Sequence, residues 1–564
     1  MPVLTKRGGM ETVSRPVTVG ELDREVATVR EHAERWARLG FAGKIRHLRA
    51  LRVRTVENAA AWADLAAQAK GVAGTPLAGE EWFSGPYALL TALDALASTL
   101  GDLARFGAPH TPHAPRLRAD GQVVVDVFPL SNADRVLLSG VRAETWMQPG
   151  VTQEDVLTAH TGAFYRRERP DGRVTLVLGA GNIASIPPLD VLSVLYEHGS
   201  SAILKLNPVN AYLQPLFERI FASLIEEQVV RIVGGGADVG AYLCSHPAID
   251  AIHLTGGERT HDAIVFGPGA QGAARKRAGT PLLDKPVSSE LGNVTPVIVV
   301  PGPWSGPDIA FQAAHIATMK LHNAGANCIA AQVLIVPQAW PQSERLVAAV
   351  GAALRNAPAR PTYYPGVTRT ERALVTGLEA TSDESLFREE LFAPVLGETA
   401  LPGDDPATFL RNAVAFCNER LRGTLGASIL IHPRTIAALG PAFDEAIAGL
   451  RYGCVAINTW PGVGFLLPTA TWGAYPGNTI ADVGSGIGIV HNAFLFDAPQ
   501  KTVVRAPFAP FPRSFGDGEP TLLPTPPWFV THRRADVVAR RMFAFTAKPS
   551  PLRMASTALA AMRP

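Results

Sequence analysis

The chain has 564 residues, of which 47% are hydrophobic and 18% are charged, and its formal net charge is +2. This length predicts two or three structural units built on buried cores. The near-neutral charge excludes a general electrostatic attraction to nucleic acid, so we expect no nucleic-acid partner.

The cysteines and the amino terminus bear on location. Four cysteines in so long a chain, with no CxxC pair and no cysteine–histidine cluster, predict neither a disulfide framework nor a metal site. Residues 1–20 have no apolar core after Lys6 and Arg7, so we expect no secretory signal. No stretch approaches the roughly 18 apolar residues that a membrane-spanning helix needs. We therefore expect a cytoplasmic protein in a reducing compartment.

The amino-terminal part of the chain predicts helices, then a linker, then strands. Apolar side chains recur at helical spacing through residues 21–107, which predicts a helical layer. A linker containing proline and histidine follows at residues 108–115. Two strand-like segments, residues 122–128 and 135–138, then predict a hairpin that projects from the body near residues 122–147.

Strands and helices alternate from Arg173 onward. Four apolar runs predict a parallel, doubly wound sheet, in which ligands bind beyond the carboxyl ends of the strands. A second α/β unit follows, and its predicted strands are equally apolar. The predicted strands of the first unit are residues 174–178, 202–206, 229–233 and 251–254, and those of the second are 297–300, 333–336 and 426–431.

The carboxyl-terminal tail is rich in proline from Arg505 onward and then predicts a basic amphipathic helix over residues 533–545. Such a helix either contacts anionic lipid or packs on protein, and packing is the more common role. We expect this helix to pack on a neighbouring subunit or on its own domain.

Three residues are candidates for chemistry. Cys328 follows small residues that allow close backbone approach, although a lone buried cysteine is usually an apolar core residue. Glu290 precedes the apolar segment 297–300, where a surface carboxylate is the ordinary interpretation. Asn182 lies at a strand-to-helix turn, where it either caps the helix or directs its amide into the crevice as an oxyanion donor.

These three residues belong to a series of segments that resembles the aldehyde dehydrogenase superfamily over roughly residues 21–507. The segments occur in the family's order, and the interval from Glu290 to Cys328 is close to the family's interval from base to nucleophile. The matching segments are Gly179-Ala-Gly-Asn182, Ala202-Ile-Leu-Lys-Leu-Asn-Pro208, His253-Leu-Thr-Gly-Gly257, Glu290-Leu-Gly292, Asn323-Ala-Gly-Ala-Asn-Cys328, Arg388-Glu-Glu-Leu-Phe-Ala-Pro-Val395 and Val455-Ala-Ile-Asn458.

The resemblance implies an α/β fold with a Rossmann-type cofactor domain, a second α/β catalytic domain and a projecting oligomerisation hairpin. It places the helical layer and the dinucleotide-binding domain in residues 1–288 and the catalytic domain in residues 289–468. Residues 469–564 would return to the cofactor and oligomerisation region and end in a basic extension. The resemblance also implies a homodimer or a homotetramer.

The resemblance further implies the roles of the site residues. Cys328 would be the nucleophile, Glu290 the general base and Asn182 the oxyanion donor. The reaction would oxidise an aldehyde to a carboxylic acid through a thioester on Cys328. The cofactor would be NAD or NADP, held by residues of three segments, namely Lys205, Thr255, Gly256, Gly257, Glu390 and Phe392.

The sequence departs from the family's pattern at several positions. Pro208 stands where members specific for NAD often have glutamate, and the loss of that negative charge leaves NADP possible. Gly257 and Ala326 replace the usual serine and glutamine, and Asn293 replaces a glycine. A longer segment before Glu290 includes the basic residues 275–277, which form either a solvated loop or a contact for phosphate.

Two other functions compete with this one. The turn at Asn182 and the Leu-Asn-Pro after Lys205 also resemble the fatty acyl-CoA reductase branch, whose members pass acyl groups between a carrier thiol and the cysteine. Glu290 favours water as the acyl acceptor, since a base that activates water is dispensable when coenzyme A accepts. A catalytically inactive member that serves as a binding or assembly module is the second alternative, and the retained site residues argue against it.

The aldehyde itself is only hinted at. Trp460 and Phe465 lie near Asn458 and suggest an apolar pocket, hence an aliphatic or aromatic aldehyde. They are equally compatible with ordinary core packing.

Overall fold

The computed structural model of this protein describes residues 17–563. The expected absence of a secretory signal rests on residues 1–20, of which 1–16 lie outside the described residues. In the described part, no helix is long and apolar enough to cross a membrane.

The described helices alternate with strands from the middle of the chain onward. The α-helices are α1 Val19–Ala37, α2 Phe41–Ala69, α3 Gly79–Trp82, α4 Ala88–Phe106, α5 Asn132–Leu137, α6 Ile186–Tyr196, α7 Gln214–Ile220, α8 Ala222–Glu226, α9 Ala237–Ser245, α10 Glu258–Val265, α11 Gly269–Ala278, α12 Gly306–Leu321, α13 Ser343–Asn356, α14 Ser385–Arg388, α15 Pro406–Arg420, α16 Pro433–Leu439, α17 Pro441–Gly449, α18 Pro461–Leu466, α19 Ala535–Ala547 and α20 Pro551–Ala561.

The described strands form two large sheets and one small pair. They are β1 Arg116–Leu117, β2 Val123–Phe128, β3 Arg142–Met147, β4 Val174–Leu178, β5 Ser201–Lys205, β6 Val230–Val233, β7 Ala251–Gly256, β8 Val287–Leu291, β9 Thr295–Val299, β10 Ala331–Pro337, β11 Ala373–Val375, β12 Val395–Leu401, β13 Gly426–Leu430, β14 Cys454–Ile457, β15 Trp472–Gly473, β16 Gly486–Ile487, β17 Ile489–His491 and β18 Pro499–Arg505.

The predicted helical layer is present as α1, α2 and α4. Helix α1 begins at a capping box, in which Thr18 and Glu21 satisfy each other's backbone N–H groups. Its apolar side chains at helical spacing, including Val26 and Val29, are buried beside the strands of the first sheet. Helix α1 therefore covers one face of that sheet, whereas α2 and α4 belong to the core on its other face.

The first large sheet has the order β16-β8-β7-β4-β5-β6, in which β8 to β6 are parallel and β16 is an antiparallel edge. Its central strands are buried on both faces, which explains their continuous apolar runs. All four predicted strands of this unit are confirmed. Strand β8 also belongs to this sheet, so the predicted boundary between residues 288 and 289 falls within a strand.

The second large sheet has the order β1-β2-β3-β18-β14-β13-β9-β10-β12-β11. From β18 to β11 the strands are parallel, and β1, β2, β3 and β18 pair antiparallel. The segment that follows β9 and α12 carries Cys328. It lies beside the carboxyl ends of the strands of the first sheet. The site lies where the two sheets meet.

Two local predictions are wrong. Residues 135–138 were expected to be a strand, but Asn132–Leu137 is a helix because Ser131 and Asp134 form a capping box at its start. The antiparallel partner of β2 is instead Arg142–Met147. The basic residues 275–277 are not a loop, since they lie in helix α11, where Lys276 forms ion pairs with Glu258 and Asp262.

The predicted amphipathic helix of the tail is confirmed as α19. Its apolar side chains, Val538, Met542 and Phe543 among them, are buried against the amino-terminal helices, where they pack with Trp82 and Leu90. The face that lipid contact would require is therefore covered by protein.

Candidate active site

A single cleft of about 1150 Å³ runs beyond the carboxyl ends of β4, β5 and β7. Such a position is where doubly wound sheets bind their ligands. The structure places every residue that was predicted for the site on the wall of this cleft. These residues are Asn182, Lys205, Thr255, Gly256, Gly257, Glu290, Cys328, Glu390 and Phe392.

Cys328 lies between helix α12 and strand β10, on a segment with unusual backbone geometry. Asn323 and Ala324 have φ values of 53° and 57°, in the left-handed region that side chains other than glycine rarely adopt. Gly325 follows with a φ of 81°, and a Cβ there would lie 2.7 Å from the carbonyl oxygen of Ala393. This compact turn brings the Cys328 side chain to the floor of the cleft.

The thiol of Cys328 has a pKa well above its usual range. Burial is the main cause, and the negative charges of Glu290 and Glu390 add to it. A thiol in this state is a poor nucleophile, because attack requires the thiolate. A base must therefore take its proton.

Glu290 is the carboxyl group nearest to this role. It lies in β8 with 1% of its surface exposed, and neither carboxylate oxygen has a hydrogen-bond partner within residues 17–563. Burial raises the pKa of Glu290 above its ordinary value, and the nearby Cys328 thiol, the His491 ring and the Trp472 indole oppose that shift. A carboxyl group with a raised pKa is suited to accept and return a proton near neutral pH.

Asn182 lies in the turn after β4, and its side chain is held against the cysteine segment. The amide Nδ2 donates to the carbonyl oxygen of Ala326 at 3.1 Å. The backbone carbonyl of Asn182 accepts hydrogen bonds from Asn323 Nδ2 at 3.0 Å and from the Tyr363 hydroxyl at 2.7 Å. The amide of Asn182 is thus fixed beside the segment that carries Cys328.

The other end of the cleft is basic and open. Lys205 is the last residue of β5. Burial lowers the pKa of its ammonium group, and the negative charge of Asp238 opposes this shift. Arg259 and Lys285 also line this end. Gly257 is the N-cap of α10, and nothing within 4 Å would meet a side chain there. This end has the space and the positive charge that a phosphate-bearing ligand needs.

Glu390 lines the cleft near Cys328 and Glu290. Its carboxylate accepts the backbone N–H of Asn293 at 3.2 Å, and it leaves no room for a side chain at Gly292. Burial raises the pKa of Glu390 to about 8. Phe392 contacts the Tyr364 ring nearby, with ring centroids 5.2 Å apart.

Two clusters beside the site escaped prediction. Fully buried Asp190 accepts the Thr255 hydroxyl at 2.9 Å and lies 3.6 Å from His253 and 3.8 Å from His491. Burial alone would raise the pKa of Asp190, but the two histidines hold it below its ordinary value. The second cluster contains Glu80 and contacts the cysteine segment. Neither cluster has a local sequence signature, because its members come from distant parts of the chain.

The proposed apolar substrate residues lie elsewhere. In the described structure, neither Trp460 nor Phe465 lines the cleft. The Trp460 indole donates to the carbonyl of Ile329 at 2.8 Å, and Phe465 packs against Trp472 with ring centroids 5.4 Å apart. Trp460 therefore serves as core packing, whereas Phe465 is half-buried and also packs against Ala180, Ile183 and Ile186 beside Asn182.

The chain matches known proteins in part of its sequence and most of its fold. Residues 164–366 match the model of the aldehyde dehydrogenase family. N-succinylglutamate 5-semialdehyde dehydrogenase of Sphingopyxis alaskensis is 30% identical over 171 residues, which are 30% of this chain and 32% of that protein. Coniferyl aldehyde dehydrogenase of a Pseudomonas species is 28% identical over 193 residues, 34% of this chain and 36% of that protein. These matches span only about a third of each curated relative.

Solved structures show the same fold at low sequence identity. A mutant of aldehyde dehydrogenase C from Pseudomonas syringae, in complex with NAD⁺ and octanal, has a TM-score of 0.55 at 18% identity and covers 87% of this chain and 90% of that one. Lactaldehyde dehydrogenase from Escherichia coli has a TM-score of 0.56 at 15% identity, with 86% and 90% covered.

Proposed function

Because the chain belongs to the aldehyde dehydrogenase superfamily, we propose that it oxidises an aldehyde to a carboxylic acid with NAD or NADP, through a thioester on Cys328. One observation carries the proposal. The Cys328 thiol lies beside the Glu290 carboxyl, the Asn182 amide is bound to the cysteine segment, and all three line a cleft that the basic residues Lys205, Arg259 and Lys285 also line.

The first step is nucleophilic attack. Glu290 takes the proton of the Cys328 thiol, and the resulting thiolate attacks the carbonyl carbon of the aldehyde. The amide of Asn182 and the backbone N–H of Cys328 donate hydrogen bonds to the oxygen, which becomes negatively charged. Since these donors are fixed before the reaction, they lower the barrier without the cost of reorganising.

The cleft fits a dinucleotide. Its volume of about 1150 Å³ and its place at the carboxyl ends of parallel strands match such a ligand. Lys205 would meet the ribose or phosphate of the adenosine half, and Glu390 would hold the ribose of the nicotinamide half. When bound, the nicotinamide supplies the acceptor for the hydride that leaves the former aldehyde carbon. Pro208 together with Arg259 and Lys285 makes a 2′-phosphate acceptable, so NADP is a candidate beside NAD.

The last step is removal of the acyl group. Glu290 first releases to solvent the proton that it took from the thiol; it then takes a proton from a water molecule, and the resulting hydroxide attacks the thioester carbonyl. The carbon–sulfur bond then breaks, so that the carboxylic acid leaves and the sulfur of Cys328 is free again. A buried carboxyl group with a raised pKa suits this role, and it favours water over coenzyme A as the acyl acceptor.

A panel of aldehydes tests the proposal. Octanal, an aromatic aldehyde and a semialdehyde are each incubated with NAD or with NADP, with and without coenzyme A, and reduced cofactor is followed by absorbance. We expect turnover without coenzyme A, and none in the Cys328→Ala variant. Turnover only with coenzyme A would assign the protein to the acyl-CoA reductase branch. No turnover with any aldehyde, with or without coenzyme A, would favour the inactive binding module.

Two further proposals rest on the family resemblance. We expect a homodimer or a homotetramer, which light scattering at several protein concentrations tests. We also expect a cytoplasmic location, which cell fractionation tests.

A further inference from the structure

The short helix α3, Gly79–Trp82, touches the segment that carries Cys328. The carboxylate of Glu80 is 6% exposed and accepts the backbone N–H of Asn323 at 2.9 Å. The guanidinium of Arg360 forms an ion pair with both oxygens of this carboxylate, with one N–O distance of 2.6 Å. Glu80 is thus a charged acceptor that is itself held in place.

Asn323 is the residue on which the site geometry depends. Its left-handed backbone, and that of Ala324 after it, cost on the order of 1 kcal/mol each and persist only when neighbours hold them. The side-chain amide of Asn323 donates through Nδ2 to the carbonyl of Asn182 at 3.0 Å and to the carbonyl of Ala326 at 2.8 Å. The oxyanion donor and the nucleophile segment are therefore joined through Asn323, whose N–H is fixed by Glu80.

The position of Glu80 depends in turn on the carboxyl-terminal helix α19. A Cβ at Gly79 would lie 2.5 Å from the backbone of Ala535, so α3 and α19 are in direct backbone contact. The rings of Trp82 and Phe543 lie 5.4 Å apart in an edge-to-face contact, and the Arg540 guanidinium lies 5.7 Å from the Trp82 ring. Helix α19 therefore contacts α3 at Gly79 and at Trp82, the residues that flank Glu80 and Glu81.

We propose that Glu80 is a positioning residue for Cys328 and that helix α19 is needed to hold it there. The proposal rests on the proposed function only in taking Cys328 as the nucleophile. Without the acceptor at Glu80, the left-handed turn relaxes and moves the thiol away from Glu290 and from the Asn182 amide. A displacement of about 1 Å costs about 100-fold in kcat.

Two double variants separate positioning from simple stability. Glu80→Gln with Arg360→Met keeps an acceptor for the Asn323 N–H, whereas Glu80→Ala with Arg360→Met removes it. Both lack the ion pair, so neither leaves a buried charge unpaired. Glu81→Gln with Lys70→Met is the matched control, because Glu81 and Lys70 form a comparably buried ion pair at 2.9 Å, but Glu81 makes no hydrogen bond to the cysteine segment within the described structure.

The readouts are kcat, the KM of the cofactor, and the rate at which iodoacetamide alkylates Cys328, followed by peptide mass spectrometry. We expect the alanine double variant to lose about 100-fold in kcat and to change about tenfold in alkylation rate, with the cofactor KM unchanged. The glutamine double variant and the Glu81→Gln, Lys70→Met control should stay within about threefold of the parent protein in both readouts. Equal kcat and equal alkylation in the two double variants would overturn the proposal. Because alkylation needs no aldehyde, this result is independent of the proposed function.

Phe543→Ala tests the part played by α19. Phe443→Ala is its control, since Phe443 is buried in another core and creates a similar cavity far from α3. We expect both variants to lower the melting temperature, but only Phe543→Ala to change the alkylation rate of Cys328. Equal alkylation rates in the two variants would show that α19 plays no such role.

Discussion

Replacing Asn182 by alanine removes the side-chain amide that would stabilise the oxyanion, and the structure limits what else is lost. The backbone of Asn182 stays in place, because Asn323 and Tyr363 bind its carbonyl oxygen. The carbonyl of Ala326 loses the Asn182 amide but keeps the donor from Asn323 at 2.8 Å. The cost in stability should therefore be only about 1 kcal/mol.

The effect on catalysis should be far larger. A single oxyanion donor contributes about 3 to 4 kcal/mol to the transition state, so kcat should fall about 10²- to 10³-fold. The KM of the aldehyde should change little, since the oxyanion forms only after the ground-state complex. Steady-state kinetics with an aldehyde selected from the panel measure both.

Asn210→Ala is the matched control for this prediction. Asn210 is 2% exposed and its amide donates to the carbonyl of Ala180 at 3.0 Å, so it loses a comparable buried hydrogen bond two residues from Asn182. We expect its kcat to stay within about threefold of the parent. If Asn182→Ala and Asn210→Ala lost the same fraction of kcat, the amide of Asn182 would have no role in the transition state.

Three further predictions concern charge. Lys205→Ala should raise the KM of the cofactor about tenfold or more with a smaller change in kcat, which initial rates at varied cofactor test. Glu390→Gln removes one negative charge that raises the pKa of Cys328, so the pH profile of Cys328 alkylation without cofactor should move to lower pH. Burial lowers the pKa of Lys44 to about 7, so the folded state should lose stability as pH falls from about 10.5 to about 7. The expected loss in the free energy of unfolding is on the order of 4 kcal/mol. Lys44→Met should abolish this pH dependence, which thermal melts at several pH values measure.

The regular part of the fold was predictable because local pattern and burial agree there. Strands β4, β5 and β7 are buried on both faces, and their sequences are continuous apolar runs that end at the cleft. The helix over Asn132–Leu137 was missed because an apolar pair, Leu137 and Leu138, suggested a strand. The capping box of Ser131 and Asp134 decides the local structure, and that signal is present in the sequence.

Only the site residues that lie in the segments resembling the family were predictable from the sequence. Asn182, Glu290 and Cys328 were expected together, and they line one cleft. Glu80 was not expected, because it is 243 positions from Asn323 in the chain, and no local pattern records their hydrogen bond. The Asp190 cluster was missed for the same reason, since its histidines come from two other strands.

The most direct test of the central claim is a rapid-mixing experiment on the Glu290→Gln variant. If Cys328 carries a thioester that Glu290 helps water to remove, the variant should reduce one equivalent of cofactor per site and then turn over slowly. Mass spectrometry should find the acyl adduct on Cys328. Steady-state turnover at the rate of the parent protein, or a burst without an adduct on Cys328, would contradict the account.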